Sequence, residues 1–193
     1  MSITIVTILR QAVLLGAVLI VAALGLAGGR SGAATTATGT LTYAPSADTF
    51  VASATPTTSY GSAAGLEVDN SPVKHILLKF TVTGIGTRQV TSARLRLHAF
   101  DPSPLGGIFY STASNSWTES TVTWNSAPVT AGSPLATLGA VVVGSWYEVD
   151  LTSLVRGDGI YSLRVTSTAS DGADFDSKER AGGLGPQLVV VAR

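Results

Sequence analysis

The chain has 193 residues, a formal net charge of zero, 45% hydrophobic and 7% aromatic residues, and no cysteine. A disulfide framework and a cysteine-linked lipid anchor are thereby excluded, so stability has to come from an ordinary apolar core, for which this length suffices. The balanced charge argues against a nucleic acid partner and leaves any electrostatic recognition to the placement of charges rather than to their sum.

At the N-terminus a single early Arg10 precedes an apolar run from Ala12 to Ala27, followed by Gly28, Gly29 and Arg30. This pattern predicts a secretory signal over residues 1–34, with Ser31-Gly32-Ala33 or Gly32-Ala33-Ala34 as the small-residue cleavage pattern, and a secreted, extracellular product. The run is only slightly shorter than the roughly 20 residues that span a bilayer, so a retained anchor, with the membrane then a partner, is the competing reading. Residues 35–40 carry Thr, Ala and Gly with little to bury and predict a flexible lead-in. The folded domain is expected over 41–193.

Within it, brief runs of Val, Ile, Leu and Thr alternate with turn clusters and no amphipathic helix emerges, which predicts an all-β domain. About ten short strands suggest two packed antiparallel sheets, wound as a jelly-roll β-sandwich. Alternation assigns faces. From His75 to Val82, Ile76, Leu78, Phe80 and Val82 share one side, opposite His75, Leu77, Lys79 and Thr81. From Ala93 to Phe100, Ala93, Leu95, Leu97 and Ala99 oppose Arg94, Arg96, His98 and Phe100. Tyr161, Leu163 and Val165 oppose Ser162, Arg164 and Thr166. Three strands thus pair an apolar face with a basic one.

Between them, Trp117 to Pro128 concentrates two of the three tryptophans. Its threonines and valine favour extended backbone, and Asn125 and Pro128 end the run, which predicts a short strand whose Trp117 and Trp124 anchor the core or its rim. Towards the C-terminus, Asp171, Asp174, Asp176 and Glu179 supply hard oxygen ligands without the spacing of a helical calcium loop. No motif requires a cofactor; this run leaves a structural calcium ion open, beside the plain reading of a solvated acidic loop.

Catalytic arrangements fare poorly. The two histidines sit in strand patterns, and nucleophile-elbow, zinc-protease and phosphate-loop motifs are all missing from the sequence. A glycosidase would need two facing carboxylates, for which Glu119 with Glu148 or Asp150 is the imaginable set. A non-enzymatic role is expected.

Several segments then appear in a telling order: Ala47-Asp48-Thr49-Phe50-Val51; Tyr60-Gly61 with Leu66 and Val68; Leu77-Leu78-Lys79-Phe80; Ser92 to Leu97; Trp117-Thr118-Glu119 with Thr123-Trp124-Asn125 and Pro128; Trp146 to Thr152; Phe175 to Glu179; and Pro186 to Val190. From residue 47 onward the chain resembles the DNRLRE domains, also called family 96 carbohydrate-binding modules. It departs from them at Lys178, where the family often has arginine, and in the short Gly157-Asp158-Gly159 turn. The resemblance implies recognition of an acidic polysaccharide, alginate being the ligand associated with the family. The residues lean the same way, because an aromatic-poor chain has few rings to stack on sugars, and guanidinium forks suit uronate carboxylates. Lys79, Arg94, Arg96 and Arg164, completed by Lys178, are therefore the expected carbohydrate-binding residues, forming one outward basic stripe. Two alternatives stand beside this: arginines that merely solubilise a sheet face and pair with neighbours such as Asp174 or Asp176, and an extracellular structural or adhesion domain without a sugar site.

Overall fold

The computed structural model describes residues 38–193; the expected signal, and residues 35–37 of the expected lead-in, lie outside the described residues. Among the described residues eleven strands form: β1 (Gly39–Tyr43), β2 (Ala47–Ala52), β3 (Gly65–Asn70), β4 (Val73–Val82), β5 (Val90–Asp101), β6 (Gly107–Thr112), β7 (Thr130–Leu138), β8 (Ser145–Asp150), β9 (Gly159–Thr166), β10 (Ala173–Asp176) and β11 (Gln187–Ala192). No helix forms among the described residues, and the strand pairs are antiparallel, as the sequence predicts. The first strand opens at Gly39, which pairs with Ala192, so residues 39 and 40 belong to the sheet rather than to a lead-in.

The strands make two ladders. In the first, β1 pairs β11, β11 pairs β5, and β8 lines the other edge of β5; β10 continues beside β5 and pairs β3. In the second, β2 pairs β4, followed by β9, β6 and β7. The β3–β4 hairpin, with Asn70 opposite Val73, carries the chain from one ladder to the other.

Period-two alternation explains the core. Ala93, Leu95, Leu97 and Ala99 of β5 are all fully buried, and they share one cluster with Ile76, Leu78 and Phe80 of β4, Leu163 and Val165 of β9, and Leu188 and Val190 of β11. Inward faces of both ladders thus meet, the arrangement of a β-sandwich.

Two expectations are corrected. Residues 113–129 form no strand but a loop of turns between β6 and β7. Local hydrogen bonds explain it: Val122 N donates to Thr118 O at 2.9 Å, Ser126 N to Thr123 O at 3.2 Å, and Thr123 N to Ser126 Oγ at 3.0 Å. Threonine and serine here offer the backbone turn partners in place of a ladder. The outer face of the second ladder is also not free surface. Leu77, on the side opposite the main core, is fully buried in a second cluster with Ala47, Val51, Trp117 and Val122. The loop folds back over that face, and each large apolar side chain it covers contributes about 1.5–3 kcal/mol.

Candidate functional site

Under that loop, the outward positions of β4 and β9 become an interior. Arg164 is only 8% exposed; its Nε and one terminal nitrogen donate to His75 Nδ1 at 3.1 and 2.8 Å, and the other terminal nitrogen donates to Pro128 O at 2.9 Å. Its guanidinium carbon lies 5.4 Å from the Trp124 ring centroid. Burial, then the Arg164 charge, lower the His75 pKa to about 4, so the imidazole stays neutral and accepts from the arginine. Lys79 donates to Trp117 O and lies 4.4 Å from the Trp117 ring centroid, while Trp117 Nε1 donates to Ser162 Oγ at 3.2 Å. Both cations hold the loop down. Alternation gives their parity but not the cover.

At the edge of this face three distant segments meet. The outer edge of β2 is closed by Glu119, whose Oε1 accepts from Asp48 N at 2.6 Å. Lys178 N donates to Asp48 Oδ2 at 2.9 Å, and Lys178 Nζ bonds Glu119 Oε2 at 2.8 Å and Glu179 Oε1. Asp48 is 1% exposed. Burial pushes its carboxyl well above the usual carboxylate range; the Lys178 N–H opposes the rise and Glu179 adds to it. Lys178 is thus occupied by carboxylates of its own chain.

The outer face of the first ladder is different, because it stays open. Arg94, Arg96 and His98 of β5 stand opposite Asp150, Glu148 and Trp146 of β8. Arg94 and Glu148 side chains are each 49% exposed. Arg94 comes no closer to Glu148 than 4.0 Å, and Arg96 Nε lies 3.6 Å from it, beyond hydrogen-bond distance. Arg96 donates to Gln187 Oε1 at 2.9 Å and lays its guanidinium 4.7 Å from the Trp146 ring centroid. His98 sits edge-on to the same indole at 5.3 Å and pairs with the buried Asp176 at 2.7 Å. Arg180 pairs with Asp176 at 2.7 Å and covers the Phe100 ring at 4.4 Å. Here an indole, a histidine and three guanidinium groups share one surface.

The four strand cations therefore do not make a single stripe. Arg94 and Arg96 face outward on the first ladder, and Lys79 and Arg164 lie under the loop on the second. The acidic run also divides. Asp171 and Asp174 line an open hollow of about 230 Å³ with Glu67, Asp69, Lys74 and Asp101, whereas Asp176 and Glu179 engage the partners named above. Burial, then Glu67 and Asp101, raise the Asp174 pKa to about 6. Of the carboxylates imagined for a glycosidase, Glu119 accepts from Asp48 N and Lys178, Glu148 stands near Arg94 and Arg96, and Asp150 accepts from Thr152 N.

The model of carbohydrate-binding module family 96 matches residues 39–192, most of the chain. The chain belongs to carbohydrate-binding module family 96. No curated protein matches it in sequence. Family 96 modules are non-catalytic binding units. Three of the segments that carry the resemblance, 47–51, 117–119 and 175–179, meet at Asp48, Glu119, Lys178 and Glu179. Alternation puts His98 on the open face with Arg94 and Arg96, but Trp146 and Arg180 are not legible there from the sequence. Alternation in Trp146-Tyr147-Glu148-Val149-Asp150 puts the indole on an outward face, since Val149 is the buried parity, but only the pairing of β8 with β5 brings it beside the arginines. Nothing local could have brought Arg180 there.

Proposed function

We propose that the module is secreted and binds an acidic, alginate-like polysaccharide on the open face of β5 and β8. Arg94 and Arg96 supply guanidinium forks to uronate carboxylates, and Trp146 supplies a flat edge for a sugar ring. One observation carries this reading: among the described residues Arg94 donates no hydrogen bond and Arg96 one, so most of their ten N–H groups remain for a ligand. Arg164, in contrast, donates from each of its three guanidinium nitrogens. The strand orders β1-β11-β5-β8 and β4-β9-β6-β7 support the jelly-roll winding that would hold this face rigid. Because both arginines also stand near Glu148, a plain, internally balanced surface is the competing account.

Calorimetry separates the two. Charge-assisted hydrogen bonds contribute about 1.5–3 kcal/mol when well formed and less on an exposed face, so Arg94→Ala with Arg96→Ala should weaken alginate binding by about ten- to a hundredfold. Raising salt should weaken binding of the wild type, and cellulose oligomers should show neither effect. Equal or absent binding in all titrations would favour the balanced surface.

A further inference from the structure

Asp48 carries a feature that glycan binding on the opposite ladder does not use. Its carboxylate is out of contact with solvent; Oδ2 accepts from Lys178 N, but no hydrogen bond reaches Oδ1, and the Lys178 ammonium remains 4.0 Å away. A buried carboxylate oxygen without a donor is costly to maintain. The ammonium nearest that oxygen is the one held by Glu119 and Glu179, and one oxygen from each of the three carboxylates lies within 4.8 Å of the others. Two oxygens bound across a calcium ion stand at most roughly 5 Å apart, twice the metal–oxygen distance, so the three atoms already fit one coordination sphere.

We propose that Asp48, Glu119 and Glu179 form a binding site for one hard divalent cation of the calcium class, with the Lys178 ammonium competing for the same oxygens. Charge favours it. Glu119, Glu179 and the Asp48 carboxyl, whose proton an ion would displace, face the single ammonium of Lys178, and the neighbouring Lys79 is already engaged by the carbonyl and ring of Trp117. The Lys178 side chain is 28% exposed, so it has a path to water when an ion takes its place. The donor atoms are all carboxylate oxygens, which select a hard ion over zinc. They come from β2, the 113–129 loop and the turn after β10, an irregular set that suits the adaptable sphere of calcium better than the strict octahedron of magnesium. An ion there would fasten the loop, through Glu119, to the edge of the sandwich.

Calcium chloride titrated into the full chain by calorimetry should bind one ion per chain, with a dissociation constant on the order of 10⁻⁴–10⁻³ M because a lysine is displaced. At a hundredfold excess over that constant the melting temperature should rise by about 5–10 °C, with a smaller response to magnesium. Glu179→Gln should weaken calcium binding at least about tenfold, whereas Asp171→Asn, in the separate acidic hollow, should leave it unchanged. Lys178→Gln removes the competitor and should tighten binding by about tenfold, a result that a purely structural ion pair would not give. Absence of both heat and thermal shift in the wild type and in Lys178→Gln, or binding indifferent to Glu179→Gln, would overturn the site.

Discussion

Trp117 and Trp146 are the same residue type in opposite circumstances. Trp117 is 7% exposed, bonded to Ser162 and packed on Leu77, so Trp117→Ala should cost about 3–5 kcal/mol of stability. Trp146 rests half-buried on an outer face, so Trp146→Ala should cost under about 1.5 kcal/mol while lowering glycan affinity severalfold. Denaturant melts and calorimetry on the two variants check this crossed pattern, and the same loss of affinity without loss of stability in Trp117→Ala would reverse the assignment. His75 gives a pH signature. Its pKa falls from 6.5 when unfolded to about 4 when folded, so between those values the unfolded chain binds a proton that the folded chain refuses. The stability contribution is complete above about pH 6.5 and is lost as the pH falls towards 4. The full shift would correspond to about 3 kcal/mol, and partial exposure reduces this to about 1–2 kcal/mol. Asp174, raised to about 6, acts with the opposite sign over much of the same range, so the comparison has to be with His75→Gln. The wild type's advantage over that variant should shrink on acidification, and an advantage constant from pH 7 to 4 would contradict a neutral buried imidazole.

The loop over residues 113–129 is the element that the sequence shows least clearly. The alternation in β4, β5 and β9 is strict enough to place every inward side chain, because a strand's two faces follow from its own residues. Whether an outward face meets water depends on what later returns to cover it, and no periodicity near Lys79 or Arg164 announces Trp117 and Trp124. The composition of the loop misleads as well, since its threonines suit a strand until their local hydrogen bonds are counted. Gly61 packs tightly against this loop: a Cβ there would lie 2.7 Å from the Glu119 carbonyl carbon, and neighbouring Tyr60 stacks on Phe50 at 4.2 Å between ring centroids. Gly61→Ala should therefore push the loop off the sheet edge and cost about 1–3 kcal/mol. Thermal melts measure the loss, and a variant as stable as the wild type would show that the loop is not seated against Tyr60-Gly61.

Across the whole molecule, a net charge of zero conceals a division of labour between the two outer faces. On the second ladder the cations are consumed in fastening a loop, whereas on the first they stand beside an indole with donors to spare. Parity in the sequence indicates that Arg94, Arg96, Lys79 and Arg164 all point away from the core, but pairing between strands far apart in sequence decides that β5 and β4 belong to different ladders. The same limit holds for Asp48, Glu119 and Lys178, each legible in a segment that carries the family resemblance and none legible as a neighbour of the others. Export is a separate matter, read from the apolar run before residue 34; mass spectrometry of the exported protein should find its N-terminus between Ala34 and Thr36, and an intact Met1 in a membrane fraction would make the module an anchored one. The most direct measurement of the binding face is a titration of the isotope-labelled protein with alginate oligomers, followed by amide and indole NMR shifts. The account predicts that the perturbations concentrate on β5, β8 and the Trp146 indole; perturbations confined to Trp117, Trp124 and the 113–129 loop would contradict it.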